Sequence, residues 1–553
     1  MKKILVCSAW PYGYSMPHLG NLMSSLLSGD VFARYYKMKG FDTLYVSGTD
    51  VHGTRAEFEA AKKGIDVKSL LEKNHNYLKK LIENFNIEFD NYTHTESENH
   101  KDFVEEIYME MEKNGNIITK EEERAFCKDC NVFLADAFIE GVCPKCEYAY
   151  AKGNQCEKCG TLLEAEELKE PKCKICNHSN IIFKETKHWF LDLKKLQPNI
   201  EKFVDSRKEG WSKNVVNMTK NFLNEGLKPR AITRDLKWGI HAPFMGAEDK
   251  IIYVWGEAAL GYVSATKEYF MDKEKPERWK EFWMGDNVKQ IYTMAKDNIP
   301  FHTIFFPAQL IASEKGYHLP DIISATEYLN WIENEKFSKS RNVGIFMDDA
   351  LEILPAPYWR FYLLYDRPES RDTSFSWKEL NKTINMVLIG DLCNFVNRTL
   401  QFLDKNYILK VPNAELDEAD RALIDKIHIT ESVVSEILDA GNVKDAIDMI
   451  INLCREANTY FQQREPWKNV EKRDATIYTS MQLVKALAVF MRPFTPSISE
   501  KLWETLNIDR ELVWSELKVG MEAGHEIKKP EILIDSIDIE EVKKKYDSLK
   551  KEN

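Results

Sequence analysis

Residues 3–21, KILVCSAWPYGYSMPHLGN, combine a buried strand, a loop and the start of a helix. The apolar run at residues 4–7 is typical of a strand buried on both faces, and the apolar residues after the stretch have helical spacing through Tyr35. A strand that leads through a loop into a helix predicts the beginning of a doubly wound sheet. His18 and Gly20 should therefore lie at the carboxyl edge of that sheet, where N–H groups at a helix N-terminus favour phosphate.

A second short motif, KFSKS at residues 336–340, stands past the middle of the chain. It places two lysines three residues apart among hydroxyl residues, in a segment too poor in glycine for a phosphate-cradling loop. Such lysines supply mobile positive charge to a transferring phosphate. Taken alone, each motif also has an ordinary interpretation: a helix-capping histidine in the first case and a solvated basic loop in the second.

Length and charge narrow the possible functions. A chain of 553 residues predicts several domains with their own cores. The formal charge of -12 argues against nucleic-acid binding through overall charge, although a local basic track remains compatible with it. No apolar run approaches a membrane span, and Pro11 interrupts the apolar start before a signal-peptide core could form. We therefore expect a soluble, cytoplasmic protein.

Eight of the eleven cysteines form four C-x-x-C pairs in one polar segment. The pairs are Cys127/Cys130, Cys143/Cys146, Cys156/Cys159 and Cys173/Cys176. This spacing lets two thiolates face one tetrahedral ion, so the segment predicts structural four-thiolate zinc sites; redox dithiols would rarely need four copies. His178 is a possible substitute ligand, but we interpret it as solvent-facing. Cys7, Cys393 and Cys454 are interpreted as small core residues.

The rest of the chain continues the alternation of strands and helices and then becomes helical. Residues 43–47 predict a second strand that leads into Asp50, and sheet-like runs return at 251–255 and 290–293, each followed by helical patterning. From about residue 385 the apolar spacing indicates amphipathic helices packed as a bundle. We therefore predict an α/β protein: a split Rossmann-type parallel sheet with a zinc-knuckle insertion, followed by an α-helical bundle.

In this order and at this separation, the two motifs resemble the signature pair of class I aminoacyl-tRNA synthetases, usually H-I-G-H and K-M-S-K-S. Asn21 and Phe337 depart from these forms, but asparagine still hydrogen-bonds a nucleotide and phenylalanine keeps the apolar character of methionine. Longer stretches, covering nearly the whole chain, resemble the methionyl-tRNA synthetase family, in particular its archaeal and eukaryotic branch. These stretches are AWPY at 9–12, DVHGT at 50–54, the cysteine insert, TRDLKWG at 233–239, MAKDN at 294–298, FH at 301–302 and ATEYLN at 325–330.

The resemblance implies a methionine–tRNA ligase that uses ATP and Mg²⁺ to make methionyl-adenylate and then charges the 3′ adenosine of tRNA(Met), for initiation and elongation. The implied catalytic residues are His18, Asn21, Lys336 and Lys339. The implied ATP-binding residues are these four with Gly20, Arg234, Lys296 and Asp297. The implied methionine-binding residues are Ala9, Trp10, Tyr12, Asp50, Trp255, Ala258, Tyr262, Asn298 and His302. The implied anticodon-binding residues are Asn394, Arg398 and Trp467.

The resemblance also implies a domain plan and a pairing of the cysteines. The expected domains are 1–118 and 186–328 for the two catalytic halves, 119–185 for the zinc-binding insertion, 329–385 for the stem-contact region with the KFSKS loop, 386–520 for the anticodon-binding bundle and 521–553 for a tail. One zinc ion would take Cys143, Cys146, Cys156 and Cys159, and a second would take Cys127, Cys130, Cys173 and Cys176. No extra small-barrel tRNA-binding module follows, so we expect a monomer.

One loop departs from the family pattern and leaves alternatives open. The family usually has W-x-D-A-P or W-x-D-A-T where this chain has WGEAA at 255–259, and leucine is common where this chain has Trp10. We hypothesise that Trp10 and Gly256 are compensating changes in volume. A paralogue with shifted amino-acid or inhibitor preference, or a non-enzymatic RNA-binding protein that kept the fold, are the rival hypotheses. At the anticodon end, Trp467 would be a core anchor under the ordinary interpretation.

Overall fold

The computed structural model describes residues 2–134, 138–153, 156, 159, 163, 165–338 and 343–552. Lys339 and Ser340 of the second motif lie outside these residues. Among the helices of the described residues, none combines the length and the apolar character that crossing a bilayer requires.

Short and long strands are distributed through the first two thirds of the chain. They are β1 Lys3–Ser8, β2 Asp42–Thr49, β3 Asn91–His94, β4 Ile117–Cys127, β5 Val132–Phe133, β6 Ile139–Val142, β7 Ala151–Lys152, β8 Lys169–Cys173, β9 Ile181–Leu191, β10 Arg230–Ala231, β11 Thr233–Arg234, β12 Ile251–Ile252, β13 Val288–Ala295, β14 Ile322–Thr326, β15 Leu329–Asn330 and β16 Thr373–Ser374.

Helices connect the strands and then dominate the remainder. They are α1 Leu19–Asn21, α2 Ser28–Met38, α3 Thr54–Lys63, α4 Val67–Asn84, α5 Glu98–Lys113, α6 Leu193–Arg207, α7 Lys213–Asn224, α8 Val254–Glu257, α9 Gly261–Asp272, α10 Lys280–Trp283, α11 Phe306–Ala312, α12 Met347–Ile353, α13 Ala356–Tyr365, α14 Trp377–Lys382, α15 Asn394–Tyr407, α16 Glu418–Asp439, α17 Lys444–Arg464, α18 Arg473–Met491, α19 Pro496–Thr505 and α20 Ile539–Glu552. Segments of π-helix join α1 to α2, α14 to α15, and lead into α11 at Phe301–Phe305.

The central sheet is parallel, with the strand order β14-β13-β1-β2-β3. Alternate residues of β1 enter two different cores: Ile4 and Val6 pack on one side of the sheet, and Leu5 and Cys7 on the other. Because helices cover both faces, the strand reads as a continuous apolar run rather than an alternating one. The predicted strands at 4–7, 43–47 and 290–293 are confirmed, as is the predicted fold class.

The predicted sheet-like run at 251–255 is only partly correct. Ile251 and Ile252 form the short strand β12, which pairs antiparallel with β11 outside the central sheet. Tyr253 then precedes helix α8, and its backbone N–H donates to the carbonyl of Ile232. The β-branched and aromatic residues favour a strand locally, but packing in the fold ends it after two residues.

The insertion is built on a long antiparallel ribbon of β4 and β9, paired from Ile117 and Leu191 to Cys127 and Ile181. Beyond the ribbon, β6, β7 and β8 form a small sheet of their own. A separate apolar cluster, which includes four of the cysteines, packs there. The two halves of the parallel sheet are therefore interrupted by an independently packed unit.

The helical region shares one continuous apolar core with the front of the sheet. The fully buried Arg360 of α13 joins the parts: its guanidinium donates to Asp30 of α2 at 2.7 Å and to the carbonyls of Asn86 and Phe494 at 2.9 Å. The final helix α20 exposes Lys544 and Lys545.

Candidate active site

The two signature motifs meet in space. The ring of Phe337 stacks on the ring of His18, with centroids 4.4 Å apart and planes within 5°. Backbone bonds hold the neighbouring segments together, because Leu19 donates to the carbonyl of Ile345 and Met347 donates to that of Pro17. Phe337 of the KFSKS motif therefore lies directly beside the helix start that follows β1.

His18 caps this helix. Its Nδ1 accepts from the backbone N–H groups of Gly20 at 3.1 Å and Asn21 at 3.4 Å, and the Asn21 side chain accepts from the His18 backbone in return. Burial lowers the pKa of His18 to about 4, so the ring is neutral at pH 7 and carries its proton on Nε2. The capping interpretation is correct for Nδ1, and Nε2 remains the atom that can donate to a ligand.

A cleft opens at the carboxyl ends of β1 and β13, where doubly wound sheets bind ligands. Asn21 and Asp297, both predicted to contact ATP, line it together with Ala9 and Tyr12. Lys296 directly follows β13, and its ammonium pairs with Glu327 at 2.7 Å and with Asp372.

Arg234 does not line this cleft. Its guanidinium donates to the backbone carbonyls of Ala231 and Thr233 and lies 3.8 Å from the centre of the Tyr253 ring. Lys336, in contrast, is exposed beside the motif contact. Both residues were predicted to bind ATP. Arg234 instead contacts backbone carbonyls and Tyr253 outside the cleft, whereas the Lys336 side chain is exposed to solvent.

A second pocket adjoins the cleft and shares part of its lining. It brings together every residue predicted to bind methionine: Ala9, Trp10, Tyr12, Asp50, Trp255, Ala258, Tyr262, Asn298 and His302. The buried His302 donates from Nδ1 to the carbonyl of Asn298 at 2.9 Å, and its Nε2 accepts from the hydroxyl of Tyr262 at 2.9 Å. Burial lowers the pKa of His302 to about 4, which keeps the ring neutral at pH 7.

The pocket offers one carboxylate among aromatic walls. Asp50 follows β2 and is 5% exposed, and its backbone bonds to Pro11 and Gly13 fix it beside the loop after β1. Burial raises the pKa of Asp50 well above its usual range, and the negative charge of Glu257 is the second cause of this rise. An ammonium group bound at Asp50 would offset both effects, and the aromatic walls would receive an apolar side chain.

Two further residues line this pocket that sequence reasoning did not assign to it. Phe301 has its ring centroid 4.3 Å from that of Trp255, and Ala259 lies on the turn after α8. Phe301 begins the π-helix that also carries His302, and the widened turn brings both rings to the pocket. In the sequence, only the position of Phe301 next to His302 pointed to the pocket. In an ordinary α-helix, however, two consecutive residues do not face the same site.

The surroundings of Gly256 do not support the hypothesis that this glycine compensates for Trp10. A Cβ built on Gly256 would meet the hydroxyl of Tyr108 at 2.7 Å rather than the Trp10 ring. The ring instead occupies the space over two other glycines, because a Cβ on Gly48 would lie 2.5 Å from it and a Cβ on Gly261 2.6 Å. Trp10 therefore fits because strand β2 and helix α9 each have a glycine, without a side chain, where the indole ring packs.

The eight paired cysteines form two sets of four whose Sγ atoms lie within 4.8 Å of one another in each set. One set is Cys127, Cys130, Cys173 and Cys176, and the other is Cys143, Cys146, Cys156 and Cys159. Within each set, two Sγ pairs are separated by 3.6 and 3.9 Å, much longer than a disulfide bond of about 2.05 Å. A tetrahedron with metal–sulfur bonds of about 2.3 Å has edges close to the observed separation. Both sets therefore fit a tetrahedral ion.

His178 is 65% exposed and its Nδ1 bonds to Asp129 at 2.9 Å. It lies with Asp129 beside Cys176, outside the four-cysteine set. The interpretation of His178 as a solvent-facing residue is confirmed.

In the helical region, Arg398 and Trp467 lie together. The guanidinium of Arg398 is 5.0 Å from the centre of the buried Phe461 ring and 5.8 Å from that of Trp467, and it donates to Gln462 at 3.3 Å. Trp467 is 40% exposed, so the alternative that it is a core anchor is wrong. Asn394 is exposed one helical turn before Arg398 on α15.

Comparisons with known proteins assign this arrangement. Residues 4–400 match the family described as tRNA synthetases class I (M), and residues 411–550 match the anticodon binding domain of methionyl tRNA ligase. The chain belongs to the methionyl-tRNA synthetase family. The resemblance drawn from the motifs is therefore confirmed over nearly the whole length.

Relatives from archaea illustrate the match to this synthetase family. The chain is 45% identical over 511 residues to methionine–tRNA ligase of Korarchaeum cryptofilum, covering 92% of the chain and 91% of the relative. It is 43% identical over 548 residues to that of Pyrobaculum aerophilum, covering 98% and 96%. The crystal structure of Mycobacterium tuberculosis methionyl-tRNA synthetase bound by methionyl-adenylate has a TM-score of 0.81 at 21% identity, covering 97% of this chain and 100% of that one. That likeness shows the shared synthetase fold.

Proposed function

We propose that this chain is a methionine–tRNA ligase that activates L-methionine with ATP and transfers it to the 3′ adenosine of tRNA(Met). One observation carries the proposal: the pocket of aromatic rings around Asp50 adjoins the cleft lined by Asn21 and Asp297, and both share Ala9 and Tyr12. The adjoining sites would hold a methionine carboxylate next to the α-phosphate of ATP. Family membership supports the same reaction.

In the first step, a carboxylate oxygen of methionine attacks the α-phosphorus. The new P–O bond forms as the bond to the β-phosphate bridge breaks, and pyrophosphate leaves. We assign Asp50 to the ammonium of methionine, and His18 Nε2 with Asn21 to the nucleotide. Lys336 and Lys339 would neutralise charge on the leaving phosphates, and Mg²⁺ bound with ATP would supply further neutralisation. Catalysis then rests on positioning and electrostatics.

In the second step, a hydroxyl of the terminal adenosine attacks the adenylate carbonyl and AMP leaves. Among the described residues we assign no general base to this step. Anticodon recognition would use Asn394, Arg398 and Trp467, because single-stranded bases are held by aromatic stacking and edge hydrogen bonds. We further propose that the enzyme works in the cytoplasm, where reduced cysteines remain available for metal. We also propose that it is a monomer.

The decisive experiment is ATP/pyrophosphate exchange with each of the twenty amino acids. Exchange that depends on methionine alone is expected. Exchange with a different amino acid would favour the paralogue hypothesis, and no exchange with any amino acid would favour the non-enzymatic RNA-binding hypothesis.

Metal content tests the two cysteine sets. We expect about two zinc ions per purified chain, and about one after Cys173→Ser, because each set of four thiolates can close around one ion. The measurement is elemental analysis of the purified protein. The control is Cys393→Ser, a buried cysteine outside both sets, which should keep the wild-type content. Unchanged zinc in Cys173→Ser would contradict the assignment.

A rescue experiment tests the packing of Trp10 in the pocket. Gly261→Ala should raise the KM for methionine roughly tenfold, since overpacking a filled site costs about 1–3 kcal/mol. Adding Trp10→Leu should remove most of that effect, because the three nearest atoms to the added Cβ all belong to Trp10. Purely additive effects would contradict the contact.

Gly48→Ala is the matched control for this rescue. Its added Cβ would meet both the Trp10 ring and the backbone carbonyl of Thr93 at 2.7 Å. Trp10→Leu can relieve only the first contact, so the rescue of Gly48→Ala should be incomplete. The comparison separates release of the indole ring from a general gain in flexibility.

A further inference from the structure

Glu257 lies beneath the amino-acid pocket and is fully buried. Both of its carboxylate oxygens are used: Oε1 bonds to His52 Nδ1 at 2.7 Å, and Oε2 bonds to His100 Nε2 at 2.7 Å. It ends the short helix α8, whose Trp255 and the following Ala258 line the pocket. A carboxylate excluded from water in this way is costly unless it is paired and hydrogen-bonded.

The first histidine leads directly to the proposed ammonium anchor. His52 stands two residues after Asp50, and its backbone N–H points to the Asp50 carboxylate at 3.4 Å. Its ring is 1% exposed and bonds through Nε2 to Glu96 at 3.0 Å, and Lys101 pairs with Glu96 at 2.8 Å. Burial opposes the charge on His52, but Glu257 and Glu96 outweigh it and raise the pKa of His52 to about 9. His52 is therefore cationic at pH 7, and it forms an ion pair with Glu257.

The second histidine leads to the opposite wall of the pocket. His100 Nδ1 bonds to the hydroxyl of Ser264 on α9 at 2.8 Å, two residues after Tyr262. The His100 ring lies with its centroid 6.2 Å from that of Trp10. Glu257 thus connects the loop that carries Asp50, helix α5 and the aromatic walls through two short hydrogen bonds.

We propose that Glu257 is a positioning residue for the amino-acid substrate, which through His52 and His100 sets the distance between Asp50 and the aromatic walls. This inference rests on the proposed function of the pocket. It also gives a reason for the departure from the family's W-x-D-A pattern, because an aspartate at this position would be one methylene shorter and could not keep both bonds at 2.7 Å. Glu257 acts through other residues and is not assigned a contact with substrate.

The test compares Glu257→Gln with Glu257→Asp in methionine-dependent ATP/pyrophosphate exchange. Glutamine keeps the length but loses the charge, and aspartate keeps the charge but loses the reach. Both should raise the KM for methionine roughly 10- to 100-fold, because a displacement of about 1 Å in a positioning group has effects of that size. The KM for ATP should stay within about threefold of the wild-type value, because the ATP cleft lies on the other side of Ala9 and Tyr12.

The pH profile provides a readout that a merely structural role would not move. The charged or titratable groups that act on Asp50 are Glu257 and His52 from below and Tyr12 and Tyr14 from the loop after β1. Ammonium binding needs ionised Asp50, so the KM for methionine should rise as pH falls through the Asp50 pKa. After burial, the negative charge of Glu257 is the largest cause of the raised Asp50 pKa, so Glu257→Gln should move this rise to lower pH. Glu257→Asp should leave it in place.

Asp321→Asn is the matched control. Asp321 also bonds to a histidine, His318, at 2.7 Å, but it lies just before β14, at the amino end of the sheet. It should leave the KM for methionine unchanged. If Glu257→Gln does not fold, His100→Gln replaces it as the test. This variant removes only one of the two hydrogen bonds of the Glu257 carboxylate and should raise the KM for methionine several-fold.

The outcomes separate two failures. A wild-type protein without methionine-dependent exchange overturns the proposed function. An active wild type whose folded Glu257 or His100 variants keep the wild-type KM for methionine overturns only the positioning role of Glu257.

Discussion

Asp50→Asn should raise the KM for methionine by about 100- to 1,000-fold, the largest effect we expect on amino-acid binding. The side chain is buried, and losing one partner of a buried charge pair costs about 2–5 kcal/mol. Asparagine keeps the size and leaves the backbone bonds to Pro11 and Gly13 available. The loss should therefore report the missing charge opposite the methionine ammonium rather than a change of fold.

The measurement is ATP/pyrophosphate exchange with methionine and ATP varied separately. The KM for ATP should stay within about threefold of the wild-type value. Asp205→Asn, which removes a surface carboxylate paired with Lys208, serves as the matched control and should behave as wild type. Equal losses for methionine and ATP would instead assign Asp50 a structural role.

The same variant has a signature in its pH dependence. In the wild type, burial and Glu257 raise the Asp50 pKa, so protonation of Asp50 should weaken methionine binding as pH falls through this raised pKa. Asparagine does not titrate, so this dependence should disappear while the KM stays uniformly high. A variant that keeps the wild-type pH profile would show that another group is responsible.

Trp467→Ala should lower kcat/KM for tRNA charging roughly 10- to 100-fold while leaving ATP/pyrophosphate exchange within about twofold. Stacking of one base on an aromatic side chain is worth about 1–3 kcal/mol, and Trp467 is exposed beside Arg398. Exchange needs no tRNA, so it should not respond to a residue that lines neither the cleft nor the amino-acid pocket. Both reactions should be measured on one preparation.

Ile532→Ala offers the control, because Ile532 is another exposed apolar side chain, 64% accessible, on the C-terminal segment. It should leave tRNA charging unchanged. A parallel fall of exchange and charging in Trp467→Ala would mean that the tryptophan supports the fold, whereas a fall in charging alone supports base recognition.

Sequence reasoning predicted the elements that local pattern determines. The strand at 4–7 has a continuous apolar run, the helix after His18 has its cap, and the cysteine pairs have ligand spacing; each is a property of neighbouring residues. The contact between His18 and Phe337 was not predicted. The family resemblance implied only that residues of both motifs bind ATP, because no local signal joins segments so far apart.

The parts that sequence could not predict depend on three-dimensional packing. The space for Trp10 is provided by Gly48 and Gly261, which come from different elements, whereas sequence proximity within the divergent loop pointed to Gly256. The partners of Glu257 lie on the loop after β2 and on α5, so its role could not be read from the motif that contains it. At 251–255, intrinsic strand preference was outweighed by the packing around α8.

The order of the strands has a consequence for biosynthesis. The first strand can pair with β2 early in translation, but its other edge must wait for β13, since Lys3 pairs with Val288. All eight paired cysteines emerge before then, within residues 127–176. We therefore expect the insertion to fold first on the ribosome while β1 keeps an open, apolar edge, which is the state most exposed to aggregation and to chaperones. Zinc supply during translation would then influence the yield of folded enzyme as well as its stability.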